Sequence, residues 1–239
     1  MFIISLIRNS LNFFDYFQQK KIINFLKIKL NNKIILFDVG SHHGETINLF
    51  SREFELEYFH CFEASPINFK ILEKNIQNLS FKNNYELNNI GLSDKNGESF
   101  LNQTNETSSS TINDFNLQSK YLKKKLRILN IKSEKDFFTK IPIKLTCLDS
   151  YIEKKKLNKI DILKIDTEGY EFNVLKGLKQ NHKIVKFIYF EHHYDDMIKK
   201  NYKFSNINEL LNNFGFKKVF KSKMYFRKSF EYIYENKFI

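Results

Sequence analysis

Four short apolar runs in this 239-residue chain each close on a carboxylate: Lys33–Asp38, Tyr58–Glu63, Ile160–Asp166 and Lys186–Glu191. A carboxylate at the end of a buried strand is costly to desolvate unless it is hydrogen-bonded or paired. In an open parallel sheet those ends border the crevice where ligands sit. Asp38, Glu63, Asp166 and Glu191 together therefore imply a ligand that brings hydrogen-bond donors or positive charge. The first run continues as Asp38-Val39-Gly40-Ser41-His42-His43-Gly44. Gly40 lets the backbone turn tightly and a ligand approach closely, and Gly44 opens a helix. The spacing is D-x-G-x-x-x-G rather than the G-x-G-x-x-G of dinucleotide folds. An acid there repels a pyrophosphate but accepts hydrogen bonds from a cationic ligand. Glu63, 23 residues after Gly40, stands where an acid can accept both hydroxyls of a ribose. Asn89-Ile90-Gly91-Leu92 closes a third run that can flank an adenine ring, although a plain turn explains it almost as well.

The elements that must hold these residues alternate between β-rich and helical stretches, which predicts an α/β domain with a mostly parallel sheet. Helices are expected over Glu45–Arg52, after Pro66 (Phe69, Leu72 and Ile76 on one face), over Leu148–Lys156 and Gly169–Leu178, and near Asn206–Asn213. Tyr85–Leu92 reads as one strand and Ile141–Thr146 as an edge strand, because Pro142 cannot donate to a ladder. Phe216–Phe226 and Phe230–Tyr234 read as two terminal strands. The polar stretch Asn102–Asp114 and the lysine-rich helical stretch from Leu117 to about Lys135 read as an insertion or lid near 103–140. Residues 1–32 read as an N-terminal helical extension and 33–239 as the main domain.

Composition excludes several classes. Apolar residues make up 42% and charged residues 28%, so a large core is available. Two cysteines, Cys61 and Cys147, make no disulfide framework and read as small buried hydrophobes. The net charge of +12 comes from 39 basic residues of which only Arg8, Arg52, Arg127 and Arg227 are arginine. Nucleic-acid recognition favours the bidentate guanidinium, so a nucleic-acid partner is not expected and the lysines read as a solvated surface. Arg8 interrupts the apolar N-terminal stretch, no small-residue cleavage site follows, and the stretch is too short to span a bilayer. The chain reads as cytoplasmic; the apolar positions of residues 1–30 read first as a helix or pair that packs on the domain, and second as a basic amphipathic surface with weak peripheral contact to the inner face of a membrane.

The ordered set Phe37–Gly44, Cys61-Phe62-Glu63-Ala64-Ser65-Pro66, Asn89–Asp94, Leu148–Tyr151 and Leu163-Lys164-Ile165-Asp166-Thr167-Glu168-Gly169-Tyr170-Glu171 resembles the FkbM-type methyltransferases, which use S-adenosylmethionine (SAM). The resemblance runs from about Lys33 to Gly177 and more weakly to the C-terminus. The chain departs from it at Ser41-His42, where the family often has Ala-Asn, and residues 105–136 have no counterpart. The resemblance implies a Rossmann-like, seven-stranded, mostly parallel sheet with helices on both faces and an antiparallel last strand. It implies SAM as cofactor and methyl transfer to a hydroxyl of a sugar, glycan or small metabolite. Asp38, Gly40 and Gly44 would line the methionine end of SAM, with His42 and His43 close by. Glu63, followed by Ala64, would hold the ribose, and Asn89, Gly91 and Leu92 would border the adenine. Asp166 would face the amino-acid part of SAM or the reacting centre.

Methyl transfer to a hydroxyl needs alignment and a base. Asp166, Glu168, Glu191, His192 and His193 are the candidates, with His192 favoured and Asp166 and Glu191 beside it. Histidine titrates near neutrality, and strand alternation sets Glu191 and His193 on one side and His192 on the other. Glu171 reads as a structural cap. Asp166 with Glu191 or His192 can form an oxygen-rich metal site, but no tight ligand spacing is present and no metal is expected. Two other functions fit less well. An N-methyltransferase lacks its aromatic-flanked Pro-Pro block after the fourth strand, and a silent nucleotide-binding module would have lost the loop acids.

Overall fold

The computed structural model describes residues 17–30, 33–79, 84–131, 133, 136–224 and 228–239. In chain order the elements are α1 (helical over 17–29), β1 (Lys33–Val39), α2 (Glu45–Glu53), β2 (Glu55–Phe62), α3 (Pro66–Gln77), β3 (Tyr85–Asn88), β4 (Gly91–Ser93), β5 (Gly97–Thr104), α4 (Lys120–Ile128), β6 (Phe138–Cys147), α5 (Leu148–Lys155), β7 (Ile160–Ile165), α6 (Glu171–Lys176), a 3-10 segment (Lys179–Ile184), β8 (Val185–His193), α7 (Phe204–Asn213), β9 (Phe216–Lys223) and β10 (Ser229–Asn236).

Near-continuous apolar sequence makes β1, β7 and β8 central, since a strand covered on both faces has no solvent side. The main sheet has seven strands in the order β3-β2-β1-β7-β8-β10-β9. β2, β1, β7 and β8 pair in parallel, and the last strand, β10, lies antiparallel between β8 and β9. One face buries Phe37, Leu163, Ile188 and Phe190 against α5, α6 and α7. The other buries Ile34, Leu36, Ile162 and Phe187 against α1, α2 and α3. Period-two alternation then puts Asp38, Lys164, Tyr189 and Glu191 on this second face, so it turns polar towards the carboxyl ends of the strands.

The structure departs from the expected elements at three places. Tyr85–Leu92 is two strands, because β4 leaves the main sheet and joins a second, three-stranded sheet in the order β4-β6-β5. Ile141–Thr146 belongs to the middle strand of that sheet, not to an edge. Pro142 is tolerated because β4 pairs only with Leu145–Cys147, which leaves Pro142 with a partner on the β5 side alone. The helix expected from Leu117 to Lys135 is confined to α4, capped by the Ser119 hydroxyl, which accepts from the Leu122 N–H. The apolar stripe of α1 (Ile22, Ile23, Leu26 and Leu30) is buried in the core and does not face a membrane. Residues 1–16, the rest of the stretch expected to touch one, lie outside the described residues. Among the described residues no helix is long and apolar enough to cross a bilayer.

Candidate active site

The turn after β1 is built on Gly40, at φ +80°, a left-handed conformation that glycine adopts without strain. Its N–H and that of Ser41 both donate to the Phe62 carbonyl, at 2.9 and 3.1 Å. The Ser41 hydroxyl donates to the Asp38 carbonyl and accepts from the Phe62 N–H. These bonds tie the ends of β1 and β2 together and bring Glu63 under the loop. A Cβ at position 40 would lie 1.9 Å from the Asp166 carbonyl oxygen. Gly40→Ala therefore forces β1 and β7 apart at their carboxyl ends. It is expected to lower stability by about 1–3 kcal/mol, read as a drop in the urea midpoint at unchanged slope.

Glu63 is buried, and both of its oxygens are already oriented. Oε2 accepts from the His42 N–H at 2.8 Å and Oε1 from the Ser65 N–H at 2.9 Å. Burial pushes its pKa up to about 7, while the two backbone donors and His42 pull the other way. Each oxygen keeps a further lone pair, and Glu63 lines the principal cavity, about 870 Å³ in volume. That size lies towards the upper end of the range for small-molecule sites.

The cavity floor is the polar half of the second sheet face. Lys164 Nζ lies 3.3 Å from Asp166 Oδ2 and 3.6 Å from Asp38 Oδ1. Asp166 and neighbouring carboxylates hold its ammonium above the usual lysine range despite burial. Asp38 is fully buried, and desolvation pushes its carboxyl up while Lys164 opposes it. Further along the edge, His193 Nε2 lies 3.6 Å from Glu168 Oε2 and 3.5 Å from Glu191 Oε1, and Nδ1 lies 3.5 Å from Asp195 Oδ2. Burial lowers the affinity of His193 for a proton, but Glu168, Glu191 and Asp195 outweigh it and raise its pKa to about 10. Burial raises the Glu168 carboxyl, with the charged His193 opposing. The site is thus a set of carboxylates organised round two cations.

Residues 106–112 line the cavity and, with Asn113, are tied to the loops after β1 and β7. Thr107 Oγ1 meets His42 Nε2 at 2.8 Å, the Thr111 hydroxyl donates to the Glu168 carbonyl, and the Asn113 amide donates to the Gly169 carbonyl. The hydroxyl-rich run from Thr107 to Thr111 lines the cavity, a role the sequence signals only by its composition. Glu171 holds the 167–170 loop from below. Its Oε1 accepts from the Gly169 and Thr167 N–H groups, and Oε2 accepts from the Tyr202 hydroxyl.

Of the residues expected at the site, Gly40, His42, Glu63, Ala64, Gly91, Leu92, Asp166 and Glu191 line this cavity. Asp38 lies in the floor behind Lys164. Three others serve the loops instead of the lining. His43 stacks on His42 at 3.7 Å, Gly44 at φ +92° leaves no room for a Cβ, which would lie 3.0 Å from a Leu72 methyl, and the Asn89 amide donates to the Glu63 and Ala64 carbonyls. His192, expected as the base, is on the other face of the sheet among Tyr194, Tyr202 and Phe204. Burial there, with Lys200 and His193 nearby, lowers its pKa to about 3. A metal set of Asp166 with His192 is not assembled for the same reason. Among the described residues, the group of three side chains close enough to share an ion is His42, His43 and Glu45. His42 already spends both ring nitrogens on Glu45 and Thr107. Lys164, Tyr189, Glu231 and Met224 also line the cavity and were not singled out from sequence.

The Methyltransferase FkbM domain profile matches residues 38–218, which is more than half of the chain. The chain belongs to the FkbM methyltransferase domain family. No curated protein sequence matches it. Among solved structures, TrmK of M. capricolum, in complex with S-adenosylhomocysteine, aligns over 90% of this chain and 67% of its own at 12% identity and a TM-score of 0.51. A methyltransferase FkbM from Methylobacillus flagellatus KT aligns over 86% and 45% at 14% identity and 0.51. Magnesium protoporphyrin IX methyltransferase from Synechocystis PCC 6803, with bound S-adenosylhomocysteine, aligns over 96% and 86% at 7% identity and 0.55. The chain thus spans less than half the length of the FkbM structure it resembles. The shared feature is the Rossmann-like fold of SAM-dependent methyltransferases.

Proposed function

We propose that this FkbM-family chain transfers a methyl group from SAM to a hydroxyl of a sugar, a glycan or a small metabolite. One observation carries the reading. A single cavity holds an oriented ribose-binding carboxylate, Glu63, at one end and the Glu168–His193 pair at the other. The buried, pre-oriented lone pairs of Glu63 suit a pair of vicinal hydroxyls, and Gly91 and Leu92 offer an adenine an apolar border. Gly40 and Asp166 would face the methionine end, where an acid stabilises positive charge.

When bound, SAM supplies a methyl carbon activated by its sulfonium. The chain's own part is to align the acceptor oxygen and take its proton. Glu168 is the group for that proton. It lies in the cavity, and burial tunes its carboxyl upward towards neutrality, where a general base works best. His193, kept charged by three carboxylates, orients Glu168 and offsets its negative charge. Residues 33–239 act as the methyltransferase unit, 1–32 as its N-terminal helical extension, and the stretch near 103–140 as a lid over the acceptor.

Incubation with methyl-labelled SAM and pooled hydroxylated sugars and metabolites tests the assignment. Label is expected in a base-stable ether. Label only on nitrogen would replace the O-methyl reading with an N-methyl one.

A further inference from the structure

Glu191 on β8 and Glu231 on β10 are register partners in the antiparallel ladder, so their side chains stand next to each other on the same face of the sheet. Both are only 6% exposed and both line the cavity. Two ionised carboxylates directly opposite each other destabilise a ladder; burial and Glu191 therefore raise the Glu231 carboxyl well above its ordinary range, with the Tyr189 hydroxyl as its partner, and Glu191 Oε1 is buried without a hydrogen-bond partner. The nearby cations are already shared. Lys164 faces Asp38 and Asp166 as well as Glu231, and His193 faces Glu168 and Asp195 as well as Glu191. Six carboxyls surround two cations in a chain that carries 39 basic residues against 27 acidic ones. This floor runs against the composition of the whole molecule.

The donor does not account for the pair. The glycine loop and Glu63 sit at the ends of β1 and β2 and Asp166 at the end of β7, whereas β8 and β10 lie one and two strands beyond β7. At 4.7–4.9 Å per strand that is about 5–10 Å beyond Asp166 and about 10–14 Å beyond the glycine loop. Resting on the methyltransferase reading above, we infer that the acceptor carries a protonated amine, as an amino sugar does, and that Glu191 and Glu231 hold that ammonium. A neutral sugar offers hydroxyl donors to the pair but no charge to set against it. An ammonium brings one positive charge and three donors, and once protonated its nitrogen is no nucleophile. A neighbouring hydroxyl is then the methylated group.

The test uses the full chain saturated with S-adenosylhomocysteine and titrated with glucosamine, glucose or N-acetylglucosamine, with binding followed by saturation-transfer NMR. Glucosamine is expected to bind about tenfold or more tightly than either neutral sugar. Glu191→Gln should abolish that preference while S-adenosylhomocysteine affinity stays within about twofold. The substitution is isosteric and relieves the contact with Glu231 while it removes the ion pair with His193, so the melting temperature should change little. If Glu191→Gln does not fold, Glu231→Gln is read in its place. Equal binding of the neutral sugars, a preference that survives the substitution, or no sugar binding to a complex that does hold S-adenosylhomocysteine each overturns the inference. A loss of S-adenosylhomocysteine affinity in Glu191→Gln would assign the pair to the donor's own ammonium and overturn it too. If S-adenosylhomocysteine fails to bind the unaltered chain, it is the methyltransferase reading that falls.

Discussion

Glu168→Gln is expected to lower kcat by about 10²–10⁴-fold, the contribution typical of a positioned general base. The amide fills the same space and can still face His193, but it cannot take a proton. SAM affinity should change little, because Glu168 stands at the acceptor end of the cavity. The pH profile of the unaltered protein carries the same information. Glu168 must be ionised to act, and burial raises its pKa to about 7, so kcat/KM should climb as pH rises through that region. It should fall again as His193 loses its proton near 10 and the carboxylate loses its counter-charge. In Glu168→Gln the rising limb should vanish. His192→Phe is the contrast. That ring sits in an aromatic cluster on the opposite face of the sheet, and the substitution should leave kcat within about twofold. A collapse of activity in His192→Phe with the fold intact would mean that the base has been wrongly assigned.

Glu63→Ala has the second-largest expected effect. It removes the acceptor for the ribose hydroxyls and also leaves the His42 and Ser65 N–H groups without their bonds. A loss of about 1–3 kcal/mol in SAM binding is expected, roughly 5- to 150-fold in Kd. Glu63→Gln should lose less, since its carbonyl oxygen still accepts one backbone N–H. SAM affinity of the unaltered chain should strengthen as pH rises through about 7, because the carboxylate accepts from both hydroxyls and the protonated acid does not. A pH-independent Kd between 6 and 8 would argue that no titrating carboxyl touches the ligand.

Much of the sheet was legible because apolar runs that close on an acid carry both the strand and its functional end. Asp38, Glu63 and Asp166 come to one rim for that reason. Alternation along β8 separated His192 from His193, but it does not say which side is open. That is decided by the burial of α7 against one face and by the polar turn of the other, both tertiary facts. The break of Tyr85–Leu92 at Asn89 was hidden because each half has strand composition. Gly91 marks it only through its neighbour, since a Cβ there would come within 2.8 Å of a Leu145 methyl. Glu231 was not singled out because its meaning comes from β10 inserting between β8 and β9. That topology sets it beside a residue 40 positions earlier, and no local pattern in the chain announces it.

A SAM pocket over the ends of β1 and β2 underlies every role proposed above. Calorimetric titration of the purified chain with S-adenosylhomocysteine tests it most directly. One site per chain is expected, with a Kd of micromolar order that weakens in Glu63→Ala by roughly 5- to 150-fold. No heat of binding at about 1 mM ligand, or an unchanged affinity in Glu63→Ala, would contradict it.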